Sequence, residues 1–410
     1  MPEARFIYLD NAATSLPKPA CVGEAMARYA RECGAPARGT HRRAVEAARE
    51  VDACREAIVR LVSEDGADGG GSRPVIPREQ VVFTLNCSDA LNLAIKGLIL
   101  HRVRTAPHHP VHVIASSLDH NSILRPLHAL EGSWLAPAGL RVTLLEPDAR
   151  SGQVRPEALE RAIAPDTLLF ATLHASNVTG VIQPVEALGA VCARHGVKFV
   201  LDAAQSLGHV GLDMQRARVD LLALAGHKGL LGPTGTGALV IAPGVEEELE
   251  PLREGGTGSR IELDRQPTVL PDKYEAGSHN TMGILGLGAG VGWLLERGVH
   301  TLRTHERALT ARLIEGLASI PGVRVLGPLD PSARVGTVSL VQDRLAPVEL
   351  SRVLEERHGV ISRSGLHCAP LAHRGLGTTA DAARLGATRF SLGPFNTTAD
   401  VDAAVEGFDG

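Results

Sequence analysis

The chain has 410 residues, enough for two or more domains around a large buried core, and 42 Lys and Arg against 46 Asp and Glu leave a formal net charge of −4. A mildly acidic chain with 3% aromatic residues lacks both the basic excess and the stacking rings that nucleic acid needs, so no nucleic-acid partner is expected and the core must be aliphatic. The most apolar stretch, 282–295, is too short and glycine-rich to cross a bilayer; six cysteines without a CxxC pair exclude a zinc knuckle or disulfide framework, and with no signal peptide evident they point to a reducing, cytoplasmic setting with no membrane partner.

In chain order, residues 6–9 predict a short strand, followed by the turn-rich segment 10–15; Pro17 and Pro19 forbid an early helix. Helices are predicted over 22–33 and 43–61, separated by a loop at Arg38-Gly39-Thr40-His41, and 65–74 reads as a surface loop. Strands at 81–84, 111–115, 140–145, 168–173, 197–201, 221–224 and 238–241 then accompany helices at 90–100, 122–130, 156–163 and 185–195. Short apolar runs alternating with helical segments predict an α/β domain with a mainly parallel sheet. After about residue 295 the pattern changes to helix 301–320, strands 323–326 and 335–341, helix 347–357, strand 388–392 and helix 399–407, a smaller α+β unit. The expected division is an N-terminal segment 1–20 packing with the small domain, a large domain 21–295, and a small domain 296–410.

The stretch 225–237 organises the chain. Lys228 lies among glycines just after an apolar run, and Asp202 closes the run before it. In parallel sheets, ligands sit at such strand ends. A lysine there can form a Schiff base with an aldehyde cofactor if its pKa is lowered. An aspartate beside it is the natural partner of a protonated pyridine nitrogen. Three further strand ends carry polar groups: Asn86-Cys87-Ser88, which opens a helix and so offers an anion cradle; Asp119-His120; and His174-Ala175-Ser176-Asn177. Two motifs are set aside. The Gly286–Gly292 run imitates a dinucleotide fingerprint but follows no strand, so helix packing is expected; His108-His109-Pro110-Val111-His112 has no carboxylate or cysteine nearby and reads as a solvated loop, with no metal site.

These motifs resemble the class V aminotransferases of the pyridoxal 5'-phosphate (PLP) fold-type I superfamily, and more narrowly the Suf-type cysteine desulfurase and selenocysteine lyase branch. The resemblance rests on Leu9-Asp10-Asn11-Ala12-Ala13, Arg38-Gly39-Thr40-His41, Asp119-His120-Asn121, His174 to Gly180, Asp202-Ala203-Ala204-Gln205, Gly226-His227-Lys228, Glu275 to Asn280, Arg363 to Pro370 and Arg389-Phe390-Ser391, in order along nearly the whole chain. It implies a large domain with a mainly parallel seven-stranded sheet plus a smaller α+β C-terminal domain. It further implies that Lys228 holds PLP covalently, Asp202 the pyridine nitrogen and Gln205 the ring hydroxyl, with His120 stacked on the ring. Ser88, His227, the amides near Cys87, and Ser278 from the neighbouring subunit would bind phosphate. Asn177 would orient ring and substrate. Arg389, assisted by Arg363, would grip the substrate carboxylate, and His41 would reach in from the partner chain of a homodimer.

In such enzymes a cysteine at the place of Cys368 takes sulfur from PLP-bound L-cysteine, leaving L-alanine and a persulfide for an acceptor protein; His120 would protonate the leaving species. A free thiol, with an ordinary pKa of about 8.5, is partly ionised at neutral pH, and Arg363 and His367 are expected to favour the thiolate. The other five cysteines read as buried small hydrophobes. Ala225 stands where relatives often carry a hydroxyl contacting phosphate, Cys87-Ser88 where Thr-Thr is usual, Leu366 where a His is common, and Ser278-His279 where Thr-Pro is common. Two alternatives stay open: another PLP reaction (C–S lyase, selenocysteine lyase or epimerase) in which Cys368 is dispensable, and a sulfur-relay platform that depends on a partner protein.

Overall fold

A computed structural model describes residues 6–36, 39–63, 76–131, 139–260 and 262–408; the loop expected at 65–74 and Arg38 lie outside them. After β1 (Ile7–Tyr8) come α1 (Ala20–Glu32) and α2 (Arg42–Ser63). Helix α2 buries Ala44, Ala47, Cys54, Ile58, Leu61 and Val62, the 3.6-residue stripe of a helix laid against a core. The large sheet is made of β2 (Val81–Thr84), β3 (Val111–Ser116), β4 (Leu140–Leu145), β5 (Thr167–Leu173), β6 (Lys198–Asp202), β7 (Leu221–Ala225) and β8 (Gly237–Ile241). Between its strands run α3 (Cys87–Thr105), α4 (Asn121–Leu130), α5 (Pro156–Ala162) and α6 (Val185–His195), and α7 (Thr281–Arg297) follows. The strand order is β2-β8-β7-β6-β5-β3-β4. Pairings β3–β4, β3–β5, β5–β6 and β6–β7 are parallel, and β8 is antiparallel to both neighbours.

The central strands are buried on both faces and divide their side chains by the period of two. Phe170, Phe199, Leu201 and Leu222 point into one core with Ile58 and Leu287, and the Phe170 and Phe199 rings stack at 5.6 Å. Leu169, Val200 and Leu221 point into the other with Leu91, Ile95 and Leu124. The fold class is therefore the one the sequence predicts.

The glycine run of α7 is explained by close packing. A Cβ on Gly290 would lie 2.6 Å from the Leu230 carbonyl, and one on Gly286 would lie 2.9 Å from Met26 Cγ. Small residues let α7 approach the loop that carries Lys228.

The C-terminal unit contains α8 (Val299–Ala318), β9 (Val323–Val325), β10 (Thr337–Gln342), α9 (Pro347–His358), β11 (Val360–Ile361), β12 (Arg363–Gly365), α10 (Pro370–Gly375), β13 (Ala387–Ser391) and α11 (Thr398–Glu406). Its antiparallel sheet has the order β12-β13-β10-β9 around a core of Leu313, Val338, Leu340, Leu354 and Phe390. Strand β1 pairs with β11. Elements β11, β12 and α10 are two, three and six residues long, too short for any periodicity to reveal. Helix α3 extends beyond the predicted 90–100 at both ends, because Asn86 caps Asp89 N (3.0 Å) and its far turns stay packed. The histidine-rich stretch is only partly a solvated loop. His112 is fully buried in β3, its ring bridging Thr167 Oγ1 (2.7 Å) and Thr143 Oγ1 (2.8 Å). Among the described residues no cluster could hold a metal ion, and no helix is long and apolar enough to cross a membrane.

One buried ion pair ties α2 to the loop before α7. Arg55 donates to Glu275 through both terminal nitrogens (2.9 and 2.8 Å), and Phe83 N donates to the same carboxylate (2.7 Å). Glu275→Ala would strip the buried Arg55 of its two-point partner, leaving it Asp52 at 3.8 Å and the Val81 carbonyl, and would leave the buried Phe83 amide unpaired. A loss of about 3–5 kcal/mol in urea unfolding is expected; a loss below about 1 kcal/mol would contradict this role.

Candidate active site

The residues singled out in the sequence converge because the strands that precede them run the same way. Parallel register puts Leu173 beside Asp202 and Asp202 beside Ala223, so β5 and β6 end together and β7 two residues further on. Strand β2, two antiparallel steps from β7, also points to that edge and delivers the N-terminus of α3 there. Cys87, Ser88, His120, Asn177, Asp202, Gln205, His227 and Lys228 line one cleft, together with Ala225 and Ser122.

Asp202 is anchored on one side. Its Oδ1 accepts from Ala204 N (2.9 Å) and from Cys87 Sγ (3.4 Å). Burial lifts the Cys87 thiol well above its ordinary pKa, so it is a thiol that donates and not a thiolate that repels. Burial also pushes the Lys228 amine below its ordinary range, with Asp202 opposing. The two groups line the same cleft and feel each other's charge, yet no ion pair joins them.

The peptide before Lys228 is clamped. Ser15 N (3.0 Å), Thr14 Oγ1 (3.1 Å), Ser15 Oγ (3.2 Å) and Lys18 Nζ (3.4 Å) all donate to the His227 carbonyl. Burial lowers Lys18 to about 8. The glycines around Lys228 are small for a stated reason: a Cβ on Gly226 would meet Thr236 Oγ1 at 2.1 Å, and one on Gly229 would meet the Leu207 carbonyl at 2.2 Å.

Two polar atoms of the cleft residues are buried without a partner, Asn177 Oδ1 and His227 Nδ1. Leaving such groups unpaired costs about 1–3 kcal/mol each, and the cleft they line is the natural place for a polar ligand. A lysine with no ion pair to a fixed carboxylate, an imidazole lining the same cleft, and a helix N-terminus at its edge fit a flat, phosphate-bearing aldehyde cofactor.

The C-terminal unit adds the remaining groups. Register pairs Arg363 with Arg389 directly across β12 and β13, so two guanidinium groups share a face. Arg389 is engaged: Nη1 donates to the Asn177 carbonyl (3.0 Å), and Nη2 meets Asp10 Oδ1 (2.8 Å). Its Nε is buried without a partner. Among the described residues Arg363 has no ion pair. Cys368 is exposed, and it lines a groove with Ser88, His120 and Ser122 that lies against the cleft. His367 and Cys368 both adopt left-handed backbone, φ 49° and 57°, which costs about 1–2 kcal/mol per residue. Two bonds hold it: Asn177 Nδ2 to the His367 carbonyl (2.6 Å) and Asn121 N to the Cys368 carbonyl (2.9 Å).

Several sequence expectations shift. His367 is buried and its pKa driven far down by burial, then by Arg389 and His373; it is a neutral ring bonded to His373 (3.2 Å) and brings no charge to Cys368. Arg389 is the cation that feels that thiol. Gln205 Nε2 donates to the Ala12 carbonyl (2.9 Å), and Ser88 Oγ bonds Ser122 Oγ (2.6 Å). Ser278 and His41 are exposed and lie outside the cleft of their own chain. Sequence reading gave no individual role to Asp10, Lys18 or Ser122. Asp10 stands in a quoted motif, but nothing local signals its pairing with Arg389.

The comparisons agree with this geometry. The family model described as Aminotransferase class-V matches residues 7–404, and the chain belongs to that family of PLP-dependent enzymes. A protein of Aeropyrum pernix named "Probable cysteine desulfurase" is 37% identical over 384 residues, covering 90% of this chain and 87% of the relative. A protein of the same name from Methanothermobacter thermautotrophicus is 32% identical, covering 96% and 92%. The solved apo structure of a cysteine desulfurase from Thermococcus onnurineus superposes with a TM-score of 0.86 at 31% identity, covering 98% of this chain and 94% of that one.

Burial also sets a pH limit on the site. His174, His227 and His373 are lowered from 6.5 to about 4, each first of all by burial. As pH falls below 6.5 the unfolded chain takes up protons that these folded rings refuse. Their stability contribution is full above about 6.5 and is lost as pH falls to about 4. The urea midpoint should drop across that window, and less steeply in His174→Phe; equal slopes would contradict the burial account.

Proposed function

We propose that the chain is a PLP-dependent cysteine desulfurase that converts L-cysteine to L-alanine and holds the released sulfur as a persulfide on Cys368 for transfer to an acceptor protein. The observation that carries this reading is an exposed thiol, Cys368, in a groove that shares Ser88, His120 and Ser122 with the cleft of Asp202 and Lys228. Lys228 would hold PLP covalently, with Asp202 at its pyridine nitrogen, Asn177 and Gln205 toward its hydroxyl and His120 on its ring. Ser88, His227 and the first amides of α3 would take the phosphate. PLP, when bound, supplies an electron sink for the pair left when the substrate loses its α-proton.

The chain's own residues do the rest. Once the substrate amine displaces Lys228 from the cofactor, its lowered pKa raises the free-amine fraction, so Nζ can accept the α-proton. Arg363, which has no ion pair among the described residues, and the buried Arg389 grip the substrate carboxylate. The Cys368 thiolate attacks the substrate sulfur; the S–S bond forms as the Cβ–S bond breaks, Cβ keeps the electron pair and takes up a proton, and Lys228 returns the proton it took from Cα, giving alanine and a persulfide on Cys368.

The reading divides the chain into an N-terminal segment 1–20, a large domain 21–295 and a small domain 296–410. It includes a homodimer in which Ser278 and His41, exposed in a single chain, complete the partner's cleft. Six free cysteines support a reducing, cytoplasmic setting. In Cys368→Ala, alanine formation from L-cysteine should fall at least about 100-fold, with stability unchanged. Retained sulfur release would reject the mechanism in favour of a lyase, selenocysteine lyase or epimerase that does not need this thiol. Marked stimulation of the wild type by an added acceptor would instead favour the relay reading.

A further inference from the structure

The ring-face histidine is held by a contact that the reading above does not use. His120 is the residue before α4, and its Nδ1 accepts from the backbone N–H of Ser122 (3.0 Å). The Ser122 hydroxyl lies 2.8 Å from the same nitrogen and 2.6 Å from Ser88 Oγ. A backbone N–H can only donate, so Nδ1 must present its lone pair. The Ser122 hydroxyl then donates to Nδ1 and accepts from Ser88, and the ring proton is left on Nε2. We infer that Ser122 is a positioning residue for His120: its amide and hydroxyl together hold the imidazole neutral, as the Nε2–H tautomer, at the cleft wall.

The chemistry follows from the direction of these bonds. An imidazolium needs a proton on Nδ1, where it would oppose the Ser122 N–H. The positive end of the ten-residue helix α4 acts in the same sense. Burial also lowers the ring's pKa; Lys228, Arg363 and Arg125 add to this, and Asp202 opposes it. Lys96 and Cys368 line the same groove as His120. His120 therefore meets a bound ring as a neutral imidazole with one fixed donor, Nε2–H. To act as a general acid it must first break the Ser122 contact and charge. The Ser88 proton is spent on Ser122, which leaves the α3 amides and His227 as the phosphate donors. The inference rests on the reading of His120 as the ring-face residue, but its geometry exists without the cofactor.

The test is histidine 15N NMR of the full-length chain, with and without added PLP, on the wild type, Ser122→Ala and Ser122→Thr. In wild type His120 should show a pyrrole-type Nε2 and a pyridine-type Nδ1 throughout the neutral range. Ser122→Ala removes the hydroxyl donor. Its neutral form should admit a visible share of the Nδ1–H tautomer, and its titration midpoint should rise by about 0.5–1 pH unit, the equivalent of one hydrogen bond to the neutral form. Ser122→Thr keeps the hydroxyl and should restore the wild-type signature. An unchanged tautomer and midpoint in Ser122→Ala, or a threonine variant that behaves like alanine, would overturn the inference. Because the readout needs neither cysteine nor cofactor, it stands or falls separately from the desulfurase assay.

Discussion

The structure depends on one carboxylate being held still. Asp202 ends a buried parallel strand, and its Oδ1 receives an amide from Ala204 and a thiol from Cys87. Everything else in the cleft is placed relative to it. The neighbouring strand β5 ends in register with it and β7 two residues further on, so Asn177 and Lys228 leave the sheet at the same edge. No ion pair joins it to Lys228, whose amine burial pushes below its ordinary range.

The second constraint links the two halves of the molecule. The segment 10–18 touches both. Asp10 pairs with Arg389 in the C-terminal sheet, and Thr14, Ser15 and Lys18 converge on the carbonyl before Lys228. Asn11 adds a bond to Asn396 (3.2 Å). Arg389 in turn holds the Asn177 carbonyl, and Asn177 holds the strained His367 peptide beside Cys368. A single chain of contacts thus runs from the Cys368 segment to the lysine loop. Removing Asp10 would leave a buried guanidinium uncompensated, a larger loss than its single ion pair suggests.

The legible parts of the site were those next to apolar runs. Lys228, Asp202, His120 and Asn177 each follow a strand whose hydrophobic run is plain, so their common edge could be inferred from the α/β rhythm alone. The large-sheet strands agree with the prediction to within a residue or so at each end for the same reason. What was hidden acts across space. Asp10 and Arg389 are 379 residues apart, and the Cys87 thiol meets Asp202 115 residues on. His367, which the sequence predicts as a source of charge beside Cys368, is kept neutral by burial and is bonded to His373. His112 was misplaced because its two threonine partners lie on neighbouring strands. Strands of two or three residues, such as β11 and β12, carry no pattern at all.

The central claim is that an amine of lowered pKa and an anchored carboxylate face one cofactor ring. Visible absorbance during reconstitution with PLP tests it most directly. Wild-type protein should develop a band at the edge of the visible range that dialysis does not remove. Lys228→Ala should fail to develop it, and Asp202→Asn should bind weakly with a shifted band. A wild-type band in Lys228→Ala, or an Asp202→Asn variant with unchanged spectrum and affinity, would contradict the account.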